Sequence, residues 1–436
     1  MAINLPALFL AKETFREARM NTTNGAHQSG HFSFSHVVNV LMLVALFTGL
    51  QGARYYAGNI AQELGIACSI GLFLIGSFFS FFVISRGEWN SWVILPVLLI
   101  GVIMIGSGLT FALRYGGNPL FNIMAAREFL FIFLCPGIYL CCRAGYSTER
   151  FTNVLWIVLI ALMANYLFNY WRLDLKDMFF STDHRIQSLV TYDEWRGFRL
   201  KPSLFALMVV IIWAAAKLFN NATPTRLKVA SFAAIAVAAY IWSIVMFRST
   251  LATMAISLMI YPLFFHRPKN IQLLIVLIPL ALIIAPVLAT IVYDNFSNAE
   301  GGNVRLAAFN TALKHLPGIF AVGAGEDSAY GPTYQMLFGA KFYPSDLGLI
   351  GLTFKYGVIG LFLYLYLHSK IIIELCKAHW NNAGGDSSEK TLIWALLIFF
   401  LALSLNLLIN TGLAYAQGIT LGSCALALAK VIQARQ

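Results

Sequence analysis

Long apolar stretches separated by short polar turns recur along almost the whole chain. Each is close to the roughly 20 residues a helix needs to cross a bilayer. They fall at about 37–53, 62–84, 92–113, 123–142, 151–170, 203–219, 229–247, 250–265, 271–292, 347–367, 391–409 and 412–429. Hydrocarbon offers backbone N–H and C=O groups no water, so segments of this kind must bond internally as helices. The pattern predicts an all-α polytopic inner-membrane protein with twelve spans. A soluble protein with a greasy core would need polar helix faces, and these are missing. Of 436 residues, 59% are hydrophobic and 11% charged, against about a quarter charged in soluble domains.

Charge distribution sets the expected orientation, because Lys and Arg concentrate in short cytoplasmic loops. With the N-terminus inside, the inner segments carry Arg86, Arg143 and Arg150, then Lys217, Arg226 and Lys228. Further along they carry Arg267 and Lys269, then Lys370, Lys377 and Lys390, and finally Lys430 and Arg435. The short outer turns hold only Arg54 and Arg114. Residues 1–36 then read as a cytoplasmic tail, since no small-residue cleavage site follows an apolar core. Residues 37–432 read as one transmembrane domain with both termini inside. The net charge of +11 belongs to this asymmetry and not to nucleic-acid binding. The six cysteines lie mostly in apolar runs without metal-ligand spacing and read as small hydrophobes.

Two outward loops, 171–202 and 293–346, are far longer than the usual 4–6 residues, and long loops tend to carry function. The alternative is a pair of solvated caps. No Walker, HExxH or GxSxG motif is present, and GAGE at 323–326 lacks a βαβ context. No internal repeat stands out, and neither do the short broken-helix pairs that mark many transporters.

Within the second loop, RLAAFNTALKHLPG places Leu306, Phe309, Leu313 and Leu316 at near-helical spacing. The spacing predicts an amphipathic interfacial helix that Arg305 opens and Pro317-Gly318 ends. A guanidinium there offers a fork of donors suited to phosphate oxygens. Arg248 follows one very apolar run and precedes another, marking the mouth of two spans; its alternative is snorkelling to headgroups. Two outward arginines beside a bilayer suit a membrane-borne dianion such as a lipid-linked pyrophosphate. Charge grows on that group as a glycosyl bond breaks, so arginines favour the transition state most. No metal, nucleotide or other cofactor is required.

A sugar hydroxyl needs a proton acceptor. Asp346 is the first candidate, with an equal claim as helix N-cap; Glu326, Asp327 and Asp294 also face outward, with His315 nearby but reading more readily as a surface residue. Lys355 stands deep in the tenth span, so it either contacts phosphate or pairs with an acid, Glu128 or Asp346. Arg127-Glu128 reads as a pair at the outer start of the fourth span. In the first outer loop, Arg196, Arg199 and Lys201 suit anionic lipid or a second pyrophosphate. Trp171 and Phe180 read as interfacial belt residues, although aromatics there also suit sugar rings.

Three short motifs carry a resemblance: FRST with Arg248, VRLAAFNTALKHLPGIFAVGAGE with Arg305, His315, Pro317, Gly318, Gly323 and Gly325, and SDLGLIGLTFKYGVIG from Ser345 to Gly360. Residues 229–367 thereby resemble the bacterial O-antigen ligase and O-antigen polymerase superfamily. The resemblance implies about twelve spans in a GT-C-like architecture, undecaprenyl-pyrophosphate-linked glycan donors, inversion at the anomeric carbon and no metal. A flippase and a chain-length regulator would be partners beside the membrane lipids. Ligases of this kind carry a His-Asn pair before the late span, where this chain has Pro344-Ser345-Asp346. That departure favours the polymerase branch; a ligase acting on lipid A-core or another acceptor, and a polysaccharide transporter, are the alternatives.

Overall fold

The computed structural model describes residues 34–56, 59–81, 96–193, 197–220, 223–245, 254, 300–328, 330–340, 342–381, 387–407 and 412–435. The runs at 250–265, Met254 apart, and 271–292 lie outside these, as do Arg196, Arg248 and Asp294. The main described unit begins at Val38.

Helices dominate. In chain order they are α1 (Phe34–Gly49), α2 (Asn59–Ser80), α3 (Ser107–Tyr115), α4 (Pro119–Ala125) and α5 (Leu134–Arg143). Then come α6 (Thr148–Arg172), α7 (Leu175–Phe179), α8 (His184–Gln187), α9 (Leu204–Phe219) and α10 (Thr225–Val245). The later part holds α11 (Glu300–Ile319), α12 (Tyr334–Phe338), α13 (Gly348–Asn381), α14 (Ser387–Asn406) and α15 (Ala416–Gln433). A π-helical stretch, Leu99–Gly106, leads into α3. Between α8 and α9, β1 (Val190–Asp193) pairs antiparallel with β2 (Gly197–Leu200).

Six helices are long and apolar enough to cross a membrane, and the bent pair Pro119–Ala125 with Arg127–Arg143 makes a seventh. The chain is an all-α polytopic membrane protein whose β1–β2 hairpin is its described exception. Apolar side chains such as Phe78, Leu113, Phe219 and Phe362 point outward, as hydrocarbon permits. Hydroxyls within the helices bond back one turn: Ser69 to Gly65, Ser77 to Phe73, Thr152 to Thr148. This leaves few polar groups unsatisfied without water.

α15 forms the centre of the bundle and is almost wholly buried. It packs against α5 and α13, and its Gly418 and Gly422 leave no room for larger side chains beside Leu413 and Ile371. At one end of the bundle Arg435 pairs with Glu389 at 3.0 Å and donates to Thr148 Oγ1 at 2.6 Å, while Lys430 pairs with Glu374 at 2.7 Å. The opposite end collects the turn after α1, the 173–203 loop, the 320–347 segment and the entry to α15. Tyr55 donates to the Lys201 carbonyl, Gln417 to Gln51 and Arg114 to the Gly318 carbonyl.

Several expectations are corrected. Pro317 does not end its helix: α11 runs on to Ile319, and Arg305 sits past its first turn. Its buried face is Ala308, Ala312 and Ile319, whereas Leu306 and Leu313 are exposed. Of the four apolar residues at helical spacing, the other two, Phe309 and Leu316, pack against the same core. The fourth span is not straight but bent by 52°. Arg127 pairs with Glu63 at 2.6 Å and not with Glu128, because adjacent residues point to different sides of a helix. Finally, α13 is broken: Gly357 adopts φ 66° and ψ −174° inside it.

Candidate functional site

The break in α13 organises the site. A helix interrupted within a membrane must find other partners for its freed backbone groups. The glycine-rich segment supplies them. Ala324 N–H donates to the Phe354 carbonyl at 2.7 Å, Gly325 N–H to the Lys355 carbonyl at 2.8 Å, and Val358 N–H to the Phe320 carbonyl at 2.8 Å. Residues 320–325 thus lie in the break as an extra strand would. A Cβ on Gly323 would strike the Lys355 and Gly357 backbones, one on Gly325 the Ser107 and Phe111 backbones, and one on Gly357 the Ala321 and Val322 backbones. All three glycines also have positive φ. The glycines of GAGE therefore serve close backbone approach.

That docking delivers Glu326 to Lys355. The ammonium lies 2.6 Å from Glu326 Oε1, with side-chain exposures of 17% and 13%. Tyr356 Oη donates to the other oxygen at 2.8 Å. Lys355 was expected to contact phosphate or to pair with Glu128 or Asp346; its partner is instead the acid carried in by the loop. Glu128 accepts from Gln62 Nε2 and from the Ala416 N–H at the start of α15, each at 2.9 Å. Asp327 accepts the Tyr334 N–H at 2.9 Å. Burial, then the neighbouring Glu326, holds its carboxyl above the usual carboxylate range.

A second layer of charge lies nearer solvent. The Asp346 side chain is exposed, and both Arg305 and Lys201 act electrostatically on its carboxylate. No hydrogen bond to that carboxylate is found among the described residues, so Asp346 does not cap α13 there. Burial, followed by the nearby Arg54, lowers the pKa of Lys201; Asp346 opposes them. Burial likewise lowers that of Arg54, against Tyr55 and Glu128. Arg54 also donates to Gln51 Oε1 at 3.1 Å. Lys201 and Arg305 thus lie near one uncapped carboxylate, with Arg54 close to Lys201; Glu128 is occupied by Gln62 and the start of α15. Such a place carries surplus positive potential and favours an anion.

Two predicted binding residues do other work. Arg199 is buried, and its Nη1 donates to the Val245 carbonyl at 2.9 Å, tying β2 to the end of α10. Its bond to the Val245 carbonyl draws it inward, which the charge of the loop did not reveal. His315 is exposed, with its ring 5.0 Å from that of Phe338. Arg54 was noted in the sequence only as a lone cation on a short outer turn, and that isolation was its one available signal. Chemically, the arrangement combines an anion-attracting cluster with an accessible carboxylate that can accept a proton. Among the described residues no group of three or more His, Cys, Asp or Glu side chains could hold a metal ion. Compared with known proteins, the chain matches no family model, and no curated protein gives a significant match.

Proposed function

We propose that the protein is a membrane glycosyltransferase that polymerises undecaprenyl-pyrophosphate-linked oligosaccharide repeat units. The observation that supports this reading is the gathering of Lys201 and Arg305 about Asp346, with Arg54 close to Lys201, at one end of a membrane-spanning bundle. In this reading that end is periplasmic, both termini are cytoplasmic, and the architecture is GT-C-like with twelve spans. The pyrophosphate of the donor lies against the cations while its polyprenyl tail extends between helices. An acceptor sugar hydroxyl attacks the anomeric carbon from the side opposite the pyrophosphate. The new C–O bond forms as the old one breaks, the electron pair leaves with the pyrophosphate, and the hydroxyl proton passes to Asp346. The cations hold the leaving group most strongly as its charge grows, which lowers the barrier and not merely the binding energy.

Purified protein in liposomes given lipid-linked repeat units is expected to produce longer chains still attached to the carrier, read by mass. Arg305→Ala is expected to abolish elongation; normal elongation by that variant overturns the assignment. Glycan delivered to a different acceptor would instead identify a ligase. A second reading has one observation in its favour: the break at Gly357, with a charged pair beside it, resembles the interrupted helices of transporters. Movement of labelled substrate across the liposome without covalent change would establish that activity.

A further inference from the structure

The hairpin loop presents an aromatic surface that the charged cluster does not use. Phe179, Phe180, Tyr192 and Phe198 form one group: Tyr192 and Phe198 have ring centroids 4.6 Å apart, Phe179 and Phe198 5.5 Å, and Phe180 and Phe198 6.1 Å. Aromatic groups of this size are normally buried, yet Phe180 is 67% and Tyr192 47% exposed. The hairpin itself is firmly held. Val190 and Leu200 are buried, Tyr166 Oη donates to the Leu200 carbonyl at 3.2 Å, and Arg199 ties β2 to α10. Exposure of the rings is therefore a property of a fixed surface.

The neighbouring helix indicates what covers it. Along α6, Asn153, Ile157, Ala161, Ala164, Phe168 and Trp171 are all exposed and recur at intervals of three and four residues. This is a continuous stripe on one helical face, and on an apolar spanning helix such a stripe meets lipid. With 25 residues, α6 extends about 37 Å at 1.5 Å per residue, more than the roughly 30 Å of hydrocarbon. Its last turn, with Phe168 and Trp171, then lies at headgroup level, where aromatic side chains collect. The Arg172 guanidinium sits there, 5.4 Å from the Phe168 ring centroid and 5.8 Å from that of Tyr56. Lys176 follows, exposed. Asp174 is occupied in accepting from the Lys176 and Asp177 N–H groups. Apolar rings beside these cations match a layer of acyl chains beneath lipid phosphates.

We propose that the α7–β2 hairpin is a membrane-interface anchor, its Phe179–Phe180–Tyr192–Phe198 group seated in the leaflet at this end of the bundle as a continuation of the lipid-facing stripe of α6. Seated so, it holds the 173–203 loop, and with it Lys201, against the membrane.

The test places a photoreactive benzoylphenylalanine singly at Phe180, Tyr192 or Phe168 in the full chain. Each variant is reconstituted in vesicles of phosphatidylethanolamine and phosphatidylglycerol, with monodispersity checked first. After irradiation, lipid adducts at positions 180 and 192 are expected at a yield within about twofold of that at 168, as for residues sharing one interface. Lipid adducts at 168 alone, or adducts at 180 and 192 with added lipid-free glycan or with another protein, overturn the proposal.

Discussion

The Lys355 ammonium and the Glu326 carboxylate meet at 2.6 Å, although one belongs to a spanning helix and the other to a loop strand laid into that helix's break. Breaking a buried pair leaves an uncompensated charge and costs about 3–5 kcal/mol, whereas removing both charges together costs far less. Lys355→Met alone is therefore expected to destabilise the protein by about 3–5 kcal/mol, and Lys355→Met with Glu326→Gln to recover most of it. Denaturation in detergent micelles across the double-mutant cycle measures the coupling; additive effects would show that the pair does not hold the strand.

The glycines at the break predict a sharp positional contrast. Gly325→Ala combines a positive φ with overlap against the Ser107 and Phe111 backbones, and is expected to lose about 1–3 kcal/mol from backbone strain alone. Gly318 lies in α11 with nothing within 4 Å of an added Cβ. Gly318→Ala is expected to gain about 0.5–1 kcal/mol through helix propensity. Thermal midpoints of the two variants give the comparison, and equal effects would contradict the docked arrangement.

Asp327 supplies a pH prediction. Its folded pKa lies above the ordinary value, so folding takes up a proton between the two values. This residue's contribution is most favourable at low pH and becomes a penalty as pH rises through the folded value. Asp327→Asn keeps an oxygen for the Tyr334 N–H and removes the penalty. The variant is expected to be the more stable at neutral pH, with the difference closing as pH falls through the window. Unfolding midpoints as a function of pH check it, and a difference that widens toward acid would reverse the sign.

If the cluster holds pyrophosphate, its cations should matter individually. A hydrogen bond to a charged group contributes about 1.5–3 kcal/mol, so Arg54→Gln and Lys201→Gln are each expected to lower kcat/KM for a lipid-linked donor by about 10- to 100-fold. Arg305→Lys is expected to restore little, because an ammonium lacks the guanidinium's fork. Initial rates with purified donor measure all three, and unchanged rates for both glutamine variants would remove Arg54 and Lys201 from the site.

Much of the outline was legible because the bilayer imposes so strict a rule. Helical spans near 62–84, 151–170, 229–247 and 391–409 correspond to α2, α6, α10 and α14, since each run has to form its own hydrogen bonds whatever its neighbours do. Local spacing resolved α11 less fully: Phe309 and Leu316 pack against the core, whereas Leu306 and Leu313 are exposed. The depth of Lys355 was evident, but its partner lies 29 positions away along the chain, and only the inserted strand brings it there.

Taken alone, the order of residues determined that this chain lies in a membrane as a set of helices, because water-starved backbone leaves no other choice. It also marked Arg305, Asp346 and Lys355 as charges needing a reason. Tertiary structure decided what those charges meet: Arg305 and Lys201 near Asp346, and Glu326 beside Lys355. The second pairing depends on a helix broken at Gly357 accepting Gly323 and Gly325 at backbone contact, a long-range fit that no local pattern encodes.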